Sequence, residues 1–262
     1  MNGSAAMNPE PPRRRARPVE FIHRRLSPGG DLGLHLTLGL LVMILGSWAF
    51  STAAQEVGPS GALAVFDQHA TEWVQHYASA GLTNAASVVS YFGSVVVLTS
   101  FSSACALLLM SWRLWERLLG LALTMLGGSA LNVLLKHSFQ RARPNWEDPL
   151  VTLHTFSFPS AHAMGSTLFY GFLALLLMHH AGRWTRRVMV AISAATVIIA
   201  ISLTRIYLGA HYLSDVLAAF AAGAAWLAFC WTITETFRRR RARIVAQAKL
   251  TTSPRPPPAG PR

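Results

Sequence analysis

Charge is what this sequence has least of. Asp, Glu, Lys and Arg make up 13% of its 262 residues, while 52% are hydrophobic and the mean hydropathy is +0.35. An ordinary soluble domain carries about 25% charged residues. The deficit argues against such a domain and for a membrane protein. Cysteine is also scarce. Cys105 and Cys230 both lie inside apolar runs, and neither has a CxxC or CxH neighbour. That spacing offers no disulfide framework and no metal site, so two buried thiols are expected. Acidic residues number 11 against 23 Lys and Arg, for a net charge of +12. The excess invites a nucleic-acid reading, but the basic residues sit in tails and short loops between apolar runs. Membrane topology produces that distribution, and no nucleic-acid partner is expected. No internal repeat is present.

What is there, instead, is a series of long apolar runs. A spanning helix needs roughly 20 mostly apolar residues. Six runs qualify, near 34–53, 89–110, 115–137, 162–180, 188–208 and 211–236. The expected fold is all-α, an integral membrane bundle of six transmembrane helices whose last two form a tight hairpin. "AFSTAAQ" after the first run also reads as a signal-peptidase site, but over thirty residues precede that run and an uncleaved anchor is expected. Residues 34–88 then hold the first helix and an interfacial segment, and 89–236 the catalytic core. The Arg/Pro-rich ends, 1–33 and 237–262, are expected to be disordered tails able to touch anionic lipid heads.

Between the first two runs lies "VFDQHATEWVQHY". Val65, Phe66, His69, Ala70, Trp73, Val74 and Tyr77 share one helical face, and Asp67, Gln68, Thr71, Glu72 and Gln75 the other. With Trp and Tyr on the apolar side, this helix is expected in the membrane interface. A packed loop helix and a functional lid are both open readings.

The basic residues fix an orientation. The N-terminal tail, Arg113 and Arg117, Arg183 with Arg186 and Arg187, and the C-terminal tail hold 19 of the 23, all on one side if the helices alternate. The segment 54–88 has no Lys or Arg. The positive-inside rule puts both termini in the cytoplasm. Together with the Ala/Arg-rich composition, this suggests a multi-pass protein of a bacterial inner (plasma) membrane. Lys136, Arg141, Arg143 and Arg205 are left at the opposite, extracytoplasmic face, against the bias. Cations placed that way usually have a job.

Three stretches meet at that face. They are "KHSFQRARP", with Lys136 and Arg143-Pro144; "PSAH", Pro159 to His162; and "TRIYLGAHYLSD", with Arg205, His211 and Asp215. The chemistry reads as phosphate handling. Lys136, Arg143 and Arg205 can neutralise a phosphoryl group, Arg with a planar fork and Lys as a point charge. Ser160 stands as N-cap of a helix whose first N–H groups, that of Ala161 included, form an anion site. His211 and Asp215 are four apart, on one face of a helix, and the carboxylate can hold one ring nitrogen protonated while the other attacks. His162 is placed to donate a proton to a leaving oxygen. Each piece has a plain structural explanation when taken alone. The force lies in all three occurring in order at one face.

Together these stretches resemble the three-part signature of the type 2 phosphatidic acid phosphatase (PAP2) family, whose superfamily includes lipid phosphate phosphatases, polyprenyl-diphosphate phosphatases and vanadium haloperoxidases. The resemblance covers about 90 to 236. It implies a PAP2-like helical bundle that hydrolyses a lipid phosphomonoester or diphosphate, of phosphatidic acid or undecaprenyl diphosphate type, without a metal or other cofactor. By the same resemblance, His211 is the nucleophile that forms a phosphohistidine, Asp215 orients it and His162 protonates the leaving group. Lys136, Arg143, Ser160, Ala161 and Arg205 hold the phosphate. Ala161 stands where the family usually has Gly, and Thr204 where Ser is common. Phosphotransfer from the same site, a vanadate-dependent haloperoxidase and a non-catalytic lipid binder or transporter are the rival readings. The oligomeric state is open.

Overall fold

The computed structural model describes residues 34–57, 61–144 and 155–252. The tail 1–33 and the last ten residues lie outside these. The described residues contain helices and no strand. In chain order the helices are α1 (Leu34–Glu56), α2 (Ala62–His76), α3 (Ala80–Tyr91), α4 (Val95–Ser111), α5 (Trp115–Phe139), α6 (Ala161–His180), α7 (Trp184–Tyr207) and α8 (Leu213–Thr252). Six segments are long and apolar enough to cross a membrane: α1, α3 with α4, α5, α6, α7 and α8. The expected all-α, six-span architecture is therefore present.

From Gly39 onward the helices form one compact unit. The middle of it is α6, which packs against both α7 and α8. Ala163, Met164, Leu168, Phe172 and Leu176 of α6 are buried against Leu109 of α4, Leu121 of α5, Ile206 of α7 and Val216 of α8. The surrounding helices turn large apolar side chains outward, among them Ile44, Leu126, Met189 and Ile192. Water would penalise so much exposed hydrocarbon, and lipid does not. Lipid also supplies no hydrophobic drive between helices, so close approach through small residues matters more. A Cβ on Gly46 of α1 would stand 2.8 Å from the Ala221 carbonyl oxygen of α8. Within α5 the Leu123–Gly127 turn is π-helical, and the Leu123 carbonyl accepts the Trp226 indole N–H at 3.2 Å.

Serines cap the starts of three helices. Ser79 accepts from the Leu82 N–H, Ser94 from Val97 and Ser160 from Ala163. At the end of α5, Gln140 adopts a left-handed conformation (φ 44°), which turns the chain of 141–144 aside.

Three features differ from expectation. The second span starts at Ala80, not near 89, and is interrupted between Tyr91 and Val95. The interruption is polar and tightly packed: a Cβ on Gly93 would lie 2.4 Å from Ile201 Cγ2. The basic tail expected to be disordered from 237 is helical to Thr252. No Gly or Pro stands between Ala224 and Thr252, and Arg, Ala, Gln and Lys favour helix. Glu235, buried, also ties this stretch down by accepting from Arg238 at 2.6 Å and Arg239 at 2.8 Å. Lastly, α2, expected only as an amphipathic interfacial helix, buries part of its polar side. Phe66, Trp73 and Tyr77 are exposed, whereas Asp67 and Thr71 are buried. Cys105 and Cys230 are free thiols.

Candidate active site

The C-terminal ends of α5 and α7 and the N-terminal ends of α6 and α8 bring the three motifs together. α5 delivers Lys136 in its last turn and α7 delivers Arg205 in its last turn. α6 starts at Ala161, after the Ser160 cap, with His162 in its first turn. Asp215 is in the first turn of α8. One placement needs correction. α8 begins at Leu213, so His211 lies in the preceding turn and does not share a helical face with Asp215. The turn is held by the Arg205 carbonyl, which accepts the N–H groups of Ala210 at 3.0 Å and His211 at 3.2 Å. The ring still reaches its partner: His211 Nδ1 stands 3.4 Å from Asp215 Oδ2.

The contacts of the His211 ring define its tautomer. An Arg143 Nη1 lies 3.3 Å from Nε2. A guanidinium can only donate, so Nε2 must accept and carry the lone pair. The ring proton is then on Nδ1, facing the Asp215 carboxylate and the Ser157 hydroxyl at 3.5 Å. Burial, helped by the Arg143 and Lys136 charges and opposed by Asp215, lowers the imidazole pKa to about 4. At neutral pH the site therefore holds a neutral imidazole whose unprotonated Nε2 faces Arg143.

Asp215 is fully buried and well supplied with donors. Oδ1 accepts from Arg141 Nη1 at 2.6 Å. Oδ2 accepts from the Tyr212 N–H at 3.0 Å and from the Ser157 hydroxyl. The Asp215 carbonyl accepts the Ser160 N–H at 3.2 Å, which fastens the start of α6 to that of α8.

The expected phosphate ligands surround this pair. Lys136, buried, donates to the Phe156 carbonyl at 2.5 Å and so holds the 155–160 segment. Arg143 binds the carbonyls of Thr155 at 2.7 Å and Ala210 at 2.6 Å, bridging that segment to the His211 turn. Its guanidinium, its pKa lowered by burial, is held next to Nε2 rather than free in solvent. Arg205 donates to the Ser90 hydroxyl at 2.7 Å, and its Nε is buried with no partner among the described residues. A buried cationic donor without an acceptor costs free energy, which an incoming phosphate oxygen would relieve. The first N–H groups of α6, those of Ala161 and His162, have no intrahelical acceptor. The His162 ring is half-buried, with the charges of Arg205, Arg143 and Lys136 and the His211 ring in its surroundings.

Several residues here were not singled out for the site from the sequence. Arg141 stood out only as a misplaced cation. It forks between Asp215 and Asp67, the latter at 2.9 Å, and lies over the Tyr212 ring. Burial presses its pKa down, but Asp215 and Asp67 outweigh that and the shift is upward. Ser157 precedes the "PSAH" motif and has no signature of its own. Ser90 and Gly93 come from the interrupted second span. A Cβ on Gly93 would stand 3.3 Å from His162 Cδ2, so the bare backbone there forms the wall behind that ring.

Residues 117–239 match the family model of the PAP2 superfamily. A phosphatidylglycerophosphatase B of Bacillus subtilis (strain 168) is 34% identical over 114 residues, 42% of this chain and 54% of that protein. The matched stretch thus spans about half the length of that curated relative. Among solved structures, a transmembrane PAP2 type phosphatidylglycerolphosphate phosphatase from Bacillus subtilis superposes with a TM-score of 0.67 at 26% identity, over 76% of this chain and 96% of that one. The helical bundle is similar to that of this transmembrane PAP2 type phosphatase.

Proposed function

Since residues 117–239 match the family model of the PAP2 superfamily, we propose that this chain is a membrane-embedded lipid phosphatase that works through a phosphohistidine. One observation carries the reading most directly. Arg143 at 3.3 Å from Nε2 and Asp215 at 3.4 Å from Nδ1 leave His211 with its nucleophilic lone pair on the side of the cations.

The chemistry follows from that tautomer. His211 Nε2 attacks phosphorus in line with the ester oxygen, and the P–O bond to the lipid alcohol breaks. His162 gives its proton to the departing oxygen. The ring of His211 retains its Nδ1 proton and becomes a phosphoimidazolium, whose positive charge faces the Asp215 carboxylate. Lys136, Arg143, Arg205 and the first N–H groups of α6 take the charge on the equatorial oxygens. Water then attacks phosphorus and passes a proton to His162. The P–N bond breaks and inorganic phosphate leaves. Every group invoked belongs to the chain, so no metal is required.

The substrate class we infer is a glycerophospholipid with a terminal phosphomonoester, phosphatidylglycerol phosphate first and phosphatidic acid second. The likeness to Bacillus subtilis phosphatidylglycerophosphate phosphatase, in sequence and in structure, supports the first. Undecaprenyl diphosphate presents the same terminal group. The charge bias supports cytoplasmic termini and a site at the extracytoplasmic leaflet. The catalytic unit in this reading is 89–236.

The test is phosphate release by detergent-purified protein from these three lipids side by side, with His211→Ala as control. Release from one lipid, abolished in the variant, is expected. Wild-type release by His211→Ala would refute the mechanism. A phosphorylated acceptor in place of free phosphate would move the reading to phosphotransfer.

A further inference from the structure

The carboxylate of Asp67 lies outside the three motifs and outside the 117–239 match, yet it is 1% exposed and wholly engaged at the site. Its Oδ1 accepts the Ser214 N–H at 3.0 Å, and its Oδ2 accepts the Ser214 hydroxyl and Arg141 Nη2, the latter at 2.9 Å. The same guanidinium donates through Nη1 to Asp215 Oδ1 at 2.6 Å. Thus a single partly buried cation is shared between two buried carboxylates, one on α2 and one beside the nucleophile. We propose that Asp67 is a positioning residue, which acts through Arg141 to keep the Asp215 charge available to His211.

Charge and geometry both assign this role. Asp215 serves two claimants, Arg141 on Oδ1 and the His211 ring on Oδ2. With Asp67 ionised, the guanidinium has a second anion and its fork is fixed over the Tyr212 ring at 4.3 Å. Without the Asp67 charge, the full attraction of Arg141 falls on Asp215. In a buried setting that neutralises the carboxylate which must stabilise the phosphoimidazolium. Asp67 also caps α8 through Ser214, so a purely structural role has to be separated. Asp67→Asn keeps the cap while breaking the Arg141 contact, because its amide oxygen can still accept the Ser214 N–H, whereas the charge is lost and an NH2 replaces the acceptor that faced Arg141. α2 then braces the site, and its aromatic side, with Phe66, Trp73 and Tyr77, faces away from it.

The inference rests on the phosphatase reading for its kinetic arm but has a second arm that does not. For Asp67→Asn, kcat for lipid phosphate release should fall about 10- to 100-fold while KM changes less than about threefold. In a cycle with Arg141→Gln, the double variant should lose much less than the product of the two single losses. Independently of turnover, the His211 Nδ1–H proton resonance, assigned by its disappearance in His211→Ala, should move upfield in Asp67→Asn. An unchanged resonance overturns the proposal, as does a kcat within twofold of the parent or a multiplicative cycle. A parent without phosphatase activity whose resonance still shifts in Asp67→Asn would refute the phosphatase reading and leave Asp67 in its positioning role. An active parent with an indifferent Asp67→Asn would do the reverse.

Discussion

Replacing Asp215 by Asn tests the tautomer of His211 with a change of one atom. Oδ1 faces Arg141 Nη1 at 2.6 Å, and Oδ2 faces the Tyr212 N–H, the Ser157 hydroxyl and the His211 ring. All of these groups are donors. An amide has only one oxygen, so one side must confront an NH2. If the oxygen faces His211, the NH2 opposes Arg141 at a distance suited only to a charge-assisted bond. If the NH2 faces His211, the ring is driven to the other tautomer. Nε2 then carries the proton, opposes Arg143 at 3.3 Å and has no lone pair for attack. Either way the anion that balances the phosphoimidazolium is gone. A wrong tautomer in a nucleophilic pair costs about 10⁴ in kcat, or about 5.5 kcal/mol of barrier. Removing one member of a buried ion pair also costs about 3–5 kcal/mol of stability, and here Asp67 offsets part of it by retaining Arg141. The assay is steady-state phosphate release with thermal unfolding measured on the same preparation. A folded Asp215→Asn within tenfold of parental kcat would refute the assignment of Nδ1 as the protonated nitrogen.

Further outcomes follow from the same geometry. Arg205→Lys loses the guanidinium that bonds Ser90 while offering a free donor, and should lower kcat/KM about 10²-fold, as for other preorganised oxyanion donors; a loss under threefold in phosphate-release assays counts against a direct contact. Gly93→Ala places a methyl 2.4 Å from Ile201 Cγ2 and 3.3 Å from His162. Overpacking of this kind costs about 1–3 kcal/mol, seen as a lower unfolding temperature, and kcat should fall most with lipids whose leaving oxygen needs protonation most. The His211 imidazole has its pKa lowered to about 4 by burial. It should therefore stay neutral as pH falls from 7 to 5 and gain its proton only near 4, as read by ¹⁵N chemical shift; a midpoint at the ordinary value of about 6.5 contradicts the buried site. Phosphate release should be indifferent to EDTA, and a requirement for an added divalent ion would exclude the metal-free phosphohistidine route.

The sequence alone decided the class of fold and the identity of the motif residues. Long apolar runs have one physical solution in lipid, the helix, and six of them were countable. Lys136, Arg143, His162, Arg205, His211 and Asp215 were legible because charge within apolar sequence is expensive and stands out. Helix limits were read less well. Thr83, Asn84 and Ser87 thin the apolar run and hid the first turns of the second span, and local helix propensity carried α8 beyond the apolar run.

Only the tertiary structure decided how these groups are wired. That Nε2 of His211 holds the lone pair depends on an Arg143 contact across 68 positions of chain. Ser90 at Arg205, Ser157 at Asp215 and the Gly93 wall behind His162 have no periodicity or spacing that marks them. Asp67 is the clearest case. In the sequence it belongs to the polar face of an amphipathic helix, where a carboxylate ordinarily meets water. Its role comes from Arg141 and Ser214, brought against it by folding, and a partly buried cation shared by two distant carboxylates is a property that no stretch of chain contains by itself.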